Sequence, residues 1–174
     1  MPSPAGHFLA GLVTHIVSAR PDELGSRRRA VIVTGAALLP DVDFLFRLVD
    51  GRNHHQAETH SVGAALLAGA AVALWAAARR WPGPAALGLA ASLGWGSHVL
   101  LDYLGRDSHP PIGLLALWPF DPGYYKSPVP LFLDIGRTLD MRTLRHDSLA
   151  LAWEAFVLCP LLVATWRLRT RGGN

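Results

Sequence analysis

Lysine occurs once in 174 residues, at Lys126, and glutamate three times, at Glu23, Glu58 and Glu154. Solvated helices usually carry many Glu/Lys pairs four residues apart. Four residues cannot supply them, so something other than water is expected to cover much of the surface. Charged residues make up 17% and apolar ones 51%, whereas a soluble domain has about 25% charged. That balance argues against disorder and against a nucleic-acid-coating role. Sixteen Lys+Arg against thirteen Asp+Glu leave a mild net charge of +3. One cysteine, Cys159, rules out an internal disulfide and any cysteine-built zinc site. Its apolar neighbours mark it as a small buried hydrophobe. The start, Met1-Pro-Ser-Pro-Ala-Gly-His7, has no basic n-region of a signal peptide, so entry into a membrane would use internal segments. No repeat or low-complexity stretch divides the chain, which reads as one domain over residues 1–174.

Five segments read as helices. The first runs from about His7 to Ala19 and stops at Arg20-Pro21. The second follows Arg27-Arg28-Arg29, from Ala30 to Leu39, where Pro40 ends it. The third, Ser61 to Ala78, carries no charge and precedes Arg79-Arg80. After the turn signal Trp81-Pro-Gly-Pro84, the fourth runs from Ala85 to about Leu104, and the fifth from about Ser148 to Trp166. Between the last two, Gly105 to Asp147 reads as a long ordered loop, with a short helix near Leu131 to Leu139. The expected fold is all-α, an up-and-down bundle. A spanning helix needs about 20 mostly apolar residues; the last three segments approach that length and the first two do not.

The polar residues sort by helix end. His7, Asp41 and Asp43, His60, His98 and Asp102, and Asp147 with Glu154 fall at one set of ends. Arg20, Arg27 to Arg29, Arg79 and Arg80, and Arg167 to Arg171 fall at the other. Short connections make neighbouring helices antiparallel, so the bundle would gather His and Asp at one end. His98-Val-Leu-Leu-Asp102 places an imidazole and a carboxylate on one helix face, in reach of one cation. Asp41-Val-Asp43 offers two carboxylates past a helix end, and His55 and His60 flank Thr59 before an apolar helix. Each alone has an ordinary reading: a local hydrogen-bonded pair, a turn, or a helix cap by Thr59 or Ser61. Together they supply N and O ligands without sulfur, a set suited to zinc, manganese or iron.

At these residues the sequence resembles a known family. His7, Leu38-Leu-Pro-Asp-Val-Asp-Phe44, His55 with Thr59-His60-Ser61, His98-Val-Leu-Leu-Asp102-Tyr and Leu117-Trp-Pro-Phe120 occur in the order of the YdjM-like membrane-bound metal-dependent hydrolases. That family is grouped with the all-helical zinc-dependent phospholipases C and single-strand-specific nucleases. The resemblance implies His60, His98, Asp102 and one of Asp41 or Asp43 as ligands of a principal divalent ion. It implies His7 as a ligand of a second ion, with Asp102 bridging. His109 resembles a further ligand at a looser spacing. The late HxxxE motif of the group is absent, because Ala150 stands four after His146, so one or two ions are expected rather than three.

A cation held this way with an open position lowers the pKa of bound water towards about 7. Whichever of Asp41 and Asp43 is not a ligand would orient or deprotonate that water, with His55 as a supporting or second-metal group. The expected activity is metal-dependent hydrolysis of a phosphoester, small or lipid, at the inner membrane. The alternative is a non-catalytic membrane protein with a structural or transported metal. The bilayer is the expected partner and no nucleic acid is expected. Arginines flanking spans stay in the cytoplasm, which would open the site on the non-cytoplasmic side of a multi-pass protein. Phe120 is expected to wall the site, and His15 and His146 to be structural or solvent-facing.

Overall fold

A computed structural model describes residues 1–108, 110–136 and 138–171. Five long helices carry the fold, with one extra turn between the second and third. The first, α1 (Pro4–Ser18), is capped by Ser3, whose hydroxyl accepts from the Gly6 backbone N–H at 3.1 Å. α2 (Arg27–Leu38) is capped by Ser26 in the same way. At Leu39 the chain tightens into a 3-10 helix over Leu39–Leu45, because Pro40 sits in its first turn, where a missing N–H costs nothing. The single turn α3 (Arg47–Asp50) closes at Gly51, whose φ of 73° favours glycine. α4 (Val62–Ala78) is capped by Ser61, and α5 (Pro84–Tyr103) follows a proline turn. α6 (Met141–Arg171) is 31 residues long and contains Pro160.

The bundle is all-α: no strand occurs among the described residues, only isolated bridges at Gly105–Phe132 and Leu114–Tyr125. α1 packs on α2, α5 and α6, α4 pairs with α5, and α2 also packs on α5. The α4–α5 crossing is close because both partners are small. A β-carbon on Gly69 would stand 2.7 Å from the Gly88 carbonyl.

Some boundaries differ from the sequence expectation. α6 starts at Met141 rather than near Ser148, since the Asp140 carboxylate accepts from the backbone N–H groups of Arg142 (2.9 Å) and Thr143 (3.0 Å). No helix forms among the described residues of 131–139. There the backbone is committed sideways, with Leu131 N–H donating to Leu104 and Arg106 N–H to Phe132. Cys159 is exposed on α6 rather than buried.

Two helices, α5 and α6, are long and apolar enough to cross a bilayer. α4, with 17 residues, is about 25 Å long at about 1.5 Å per residue, short of a roughly 30 Å hydrocarbon core. The arginines meet at one end, where Arg28 lies over the Trp81 ring at 4.2 Å and Arg169 donates to the Ala19 carbonyl.

Candidate metal centre

The opposite end gathers side chains from four helical segments. α1 contributes His7, the 3-10 turn Asp41 and Asp43, the turn before α4 His60, and α5 His98 and Asp102. His7, His60, His98 and Asp102 are all at most 1% exposed. His60 Nε2 and His98 Nε2 lie 3.1 Å apart. Asp102 Oδ2 is 3.3 Å from the first and 3.1 Å from the second. Asp41 Oδ1 is 3.6 Å and 3.5 Å from the same two atoms. A tetrahedral zinc with bonds of about 2.0–2.1 Å has ligand–ligand edges of roughly 3.3–3.4 Å. The five measured edges bracket that value.

The same atoms make poor hydrogen bonds. Both oxygens of Asp102, Oδ1 of Asp41 and both ring nitrogens of His7 are buried without a hydrogen-bond partner. Buried polar groups are normally satisfied. Here Asp102 Oδ2 and Asp41 Oδ1 cluster with the Nε2 atoms of His60 and His98 without aligning in hydrogen bonds, an arrangement compatible with a shared cation. His7 Nε2 approaches Asp102 Oδ1 at 3.4 Å, and its ring stacks on His98 at 3.7 Å. Asp102 thus turns one oxygen to His7 and the other to His60 and His98. The donor atoms of His7, His98 and Asp102 lie within 4.8 Å of one another, as do those of Asp41, His55 and His60, so each trio can hold an ion.

Asp43 has a different place. A 3-10 helix turns about 120° per residue, so side chains two apart diverge: Asp41 meets His60 at Nε2 and Asp43 meets it at Nδ1, although both approach His55 Nδ1. It accepts from His55 Nδ1 at 2.9 Å and Thr59 Oγ1 at 2.7 Å, and lies 3.1 Å from His60 Nδ1. Carboxylate–histidine contacts of this kind fix a ligand's tautomer and ring orientation. His98 Nδ1 is held likewise by the Ala37 carbonyl at 2.8 Å. Burial disfavours the Asp43 anion, but the His55, His60 and Thr59 contacts outweigh it and hold the carboxyl far below the usual range. Burial also opposes charge on His60, yet Asp102, Asp41 and Asp43 raise its pKa well above the ordinary value. Asp43 is 1% exposed, whereas the Asp41 side chain is 21% exposed.

The profile of the YdjM inner membrane protein family matches residues 1–171. The chain belongs to that family. Searches of curated proteins and of solved structures return no match. The YdjM family assignment places the protein in the inner membrane and agrees with the two apolar helices.

Other expectations fare unevenly. Phe120 is 88% exposed and walls nothing, because the 117–121 turn packs its backbone on the start of α4, with Gly63 N–H donating to the Trp118 carbonyl. His146 bonds to the Asp134 carbonyl and His15 to that of Leu24. His109 lies outside the described residues. Thr59, which the sequence offers as a cap, instead bridges Asp43 and His60; Ser61 is the cap. A cavity of about 140 Å³, lined by Met1, Pro4, Asp41, Phe44, Asp134 and Ile135, leads to the cluster through Asp41.

Proposed function

We propose that this chain is a metal-dependent hydrolase of the inner membrane that cleaves a phosphoester. One observation carries the reading: the buried donors of His60, His98 and Asp102 stand at metal-ligand spacing, while the fourth, Asp41, has a 21% exposed side chain that lines a cavity, where water or substrate could share or take its place on an ion. A structural site closed by protein ligands would need no such opening. His60, His98, Asp41 and Asp102 would hold the principal divalent ion, with zinc the best match to donor set and spacing. His7 and the second oxygen of Asp102 would hold another. Divalent ions there supply Lewis acidity and a water nucleophile near neutral pH, and a pair suits phosphoryl transfer by stabilising both the attacking and leaving oxygens. Asp43 holds His60 and His55 in register. His55 Nδ1 rests on Asp43 and its Nε2 lies 2.8 Å from Met1 Sδ beside the cavity, so His55 would support the centre rather than face the water directly.

The substrate's setting is a lipid surface. Beside the cavity, Leu45, Leu48 and Val49 are 56%, 83% and 87% exposed, with Arg47 among them. Such a ridge suits the headgroup–acyl boundary. The arginine end carries Arg20, Arg79, Arg80 and Arg167 in short juxtamembrane stretches, which the positive-inside rule assigns to the cytoplasm. The site then opens on the non-cytoplasmic face. Since α5 runs towards the site and α6 away from it, two spans suffice for this orientation. A periplasm-active reporter fused after residue 174 is expected to be silent; activity there would reverse the orientation.

The deciding experiment is metal analysis of detergent-purified protein with a screen of phosphodiester, phosphomonoester and carboxylic ester substrates. Bound zinc, manganese or iron and chelator-sensitive phosphoester cleavage are expected. A stoichiometric ion with no exchangeable water and no hydrolysis would favour the structural or transported-metal reading.

A further inference from the structure

We propose that Glu154 is a positioning residue of the metal centre, acting through Ser3 on His7; the inference rests on the metal reading above. Glu154 lies midway along α6, a helix apolar enough to span, and is 1% exposed. A carboxylate in such a helix is costly and marks function. Its contacts go to a single place. Oε1 accepts from the Ser3 backbone N–H at 2.7 Å, and Oε2 accepts from the Ser3 hydroxyl. Ser3 is the cap of α1: its hydroxyl accepts from Gly6 N–H and its carbonyl accepts from His7 N–H at 3.1 Å. The carboxylate thus grips the turn that bears His7, at the helix end where negative charge is favourable.

Two observations say why His7 needs this grip. A metal-binding histidine is normally aimed by a hydrogen bond at its other nitrogen. His98 has one from Ala37 and His60 has the contact with Asp43, but neither nitrogen of His7 has any. Its direction must come from its backbone and its stacking on His98. The second is the approach of α6 itself: a β-carbon on Gly6 would stand 2.7 Å from Glu154 Oε2, so the chain leaves out a side chain where the carboxylate enters.

The test is a double-mutant cycle on full-length protein in detergent, read by Co2+ titration of the metal-free form and its visible ligand-field spectrum. His7→Ala removes a ligand and Glu154→Ala the group that holds it, and each is expected to weaken Co2+ binding about tenfold or more. The double variant should bind no more weakly than His7→Ala alone, and Glu154→Gln, still able to accept from Ser3 N–H, should restore the wild-type spectrum. A general loss of packing would instead give multiplying effects. Multiplying losses, or unchanged Co2+ binding in Glu154→Ala, would overturn the proposal. Should Glu154→Ala not fold, Ser3→Ala replaces it in the cycle under the same criteria. Wild-type protein that binds no Co2+ would overturn the metal reading and this inference with it.

Discussion

Two buried histidines on one helix, His7 and His15, belong to different environments. His15, 4% exposed near the arginine end, bonds through Nε2 to the Leu24 carbonyl at 3.2 Å. Its neighbour Arg29, 5% exposed, is fully occupied: it donates to Ser18 O at 2.7 Å and lies 3.4 Å from Glu23. His7, two turns earlier at 0% exposure, has no hydrogen bond on either nitrogen and faces an equally unpartnered carboxylate. Burial therefore does not distinguish a candidate metal-binding histidine from a structural one. Unused bonding capacity does, since an unsatisfied buried polar group costs on the order of 1–3 kcal/mol unless a ligand takes it up.

The contrast can be broken from either end. Asp102→Asn should have the largest effect, because an amide binds cations poorly and cannot bridge two. Metal affinity is expected to fall by roughly 100-fold or more, with phosphoester cleavage abolished and the fold kept; normal metal content would remove Asp102 from the site. Arg29→Met should do the reverse, lowering unfolding stability by roughly 1–3 kcal/mol while leaving metal binding unchanged. A loss of metal in that variant would erase the distinction between the ends.

A pH series sharpens it further. The raised pKa of His60 stabilises the metal-free fold below its ordinary value of about 6.5, and this is lost as pH rises through the raised value. The lowered pKa of Asp43 stabilises the fold above about 3.9 and is lost as pH falls through the depressed value. Both contributions are complete between those two ordinary values. A cation must displace the His60 proton, so metal affinity should rise with pH by about tenfold per unit for that one proton. Thermal unfolding with and without zinc from acid to neutral pH should therefore show the metal-dependent gain growing with pH; a flat gain would remove His60 from the ligands. The smallest effect is expected for Thr59→Val, which deletes the 2.7 Å bond to Asp43 and should cost about 1 kcal/mol, read as a few-fold weaker metal binding.

Much of this was visible in the sequence, because the candidate ligands lie where helix periodicity and helix ends fix them. His98 and Asp102 are four apart on α5, and their shared face follows from the helix alone. Asp41 and Asp43 were not separable, because an extended turn would have pointed both the same way; only the 3-10 continuation through Pro40 sends them apart. The start of α6 was hidden by its polar first turns, Arg142 to Asp147, which show no apolar stripe and form a helix through the Asp140 cap. The role of Thr59 depended on Asp43 coming within reach from 16 residues away, and no local pattern encodes that.

Gly94 lies one turn before His98 on α5, and a β-carbon placed there would run into the Val33 carbonyl of α2. In mechanical terms it is a fulcrum. A wedge as small as one methyl group would tilt the arm that carries His98 and Asp102, while the hinge at the Trp81–Gly83 turn stayed put. The displacement would be greatest where the five edges of the donor cluster tolerate it least. Tolerance to mutation should therefore be graded along α5, with permissive positions towards its arginine end and intolerance rising towards Tyr103, on faces that touch no ligand as well as on those that do.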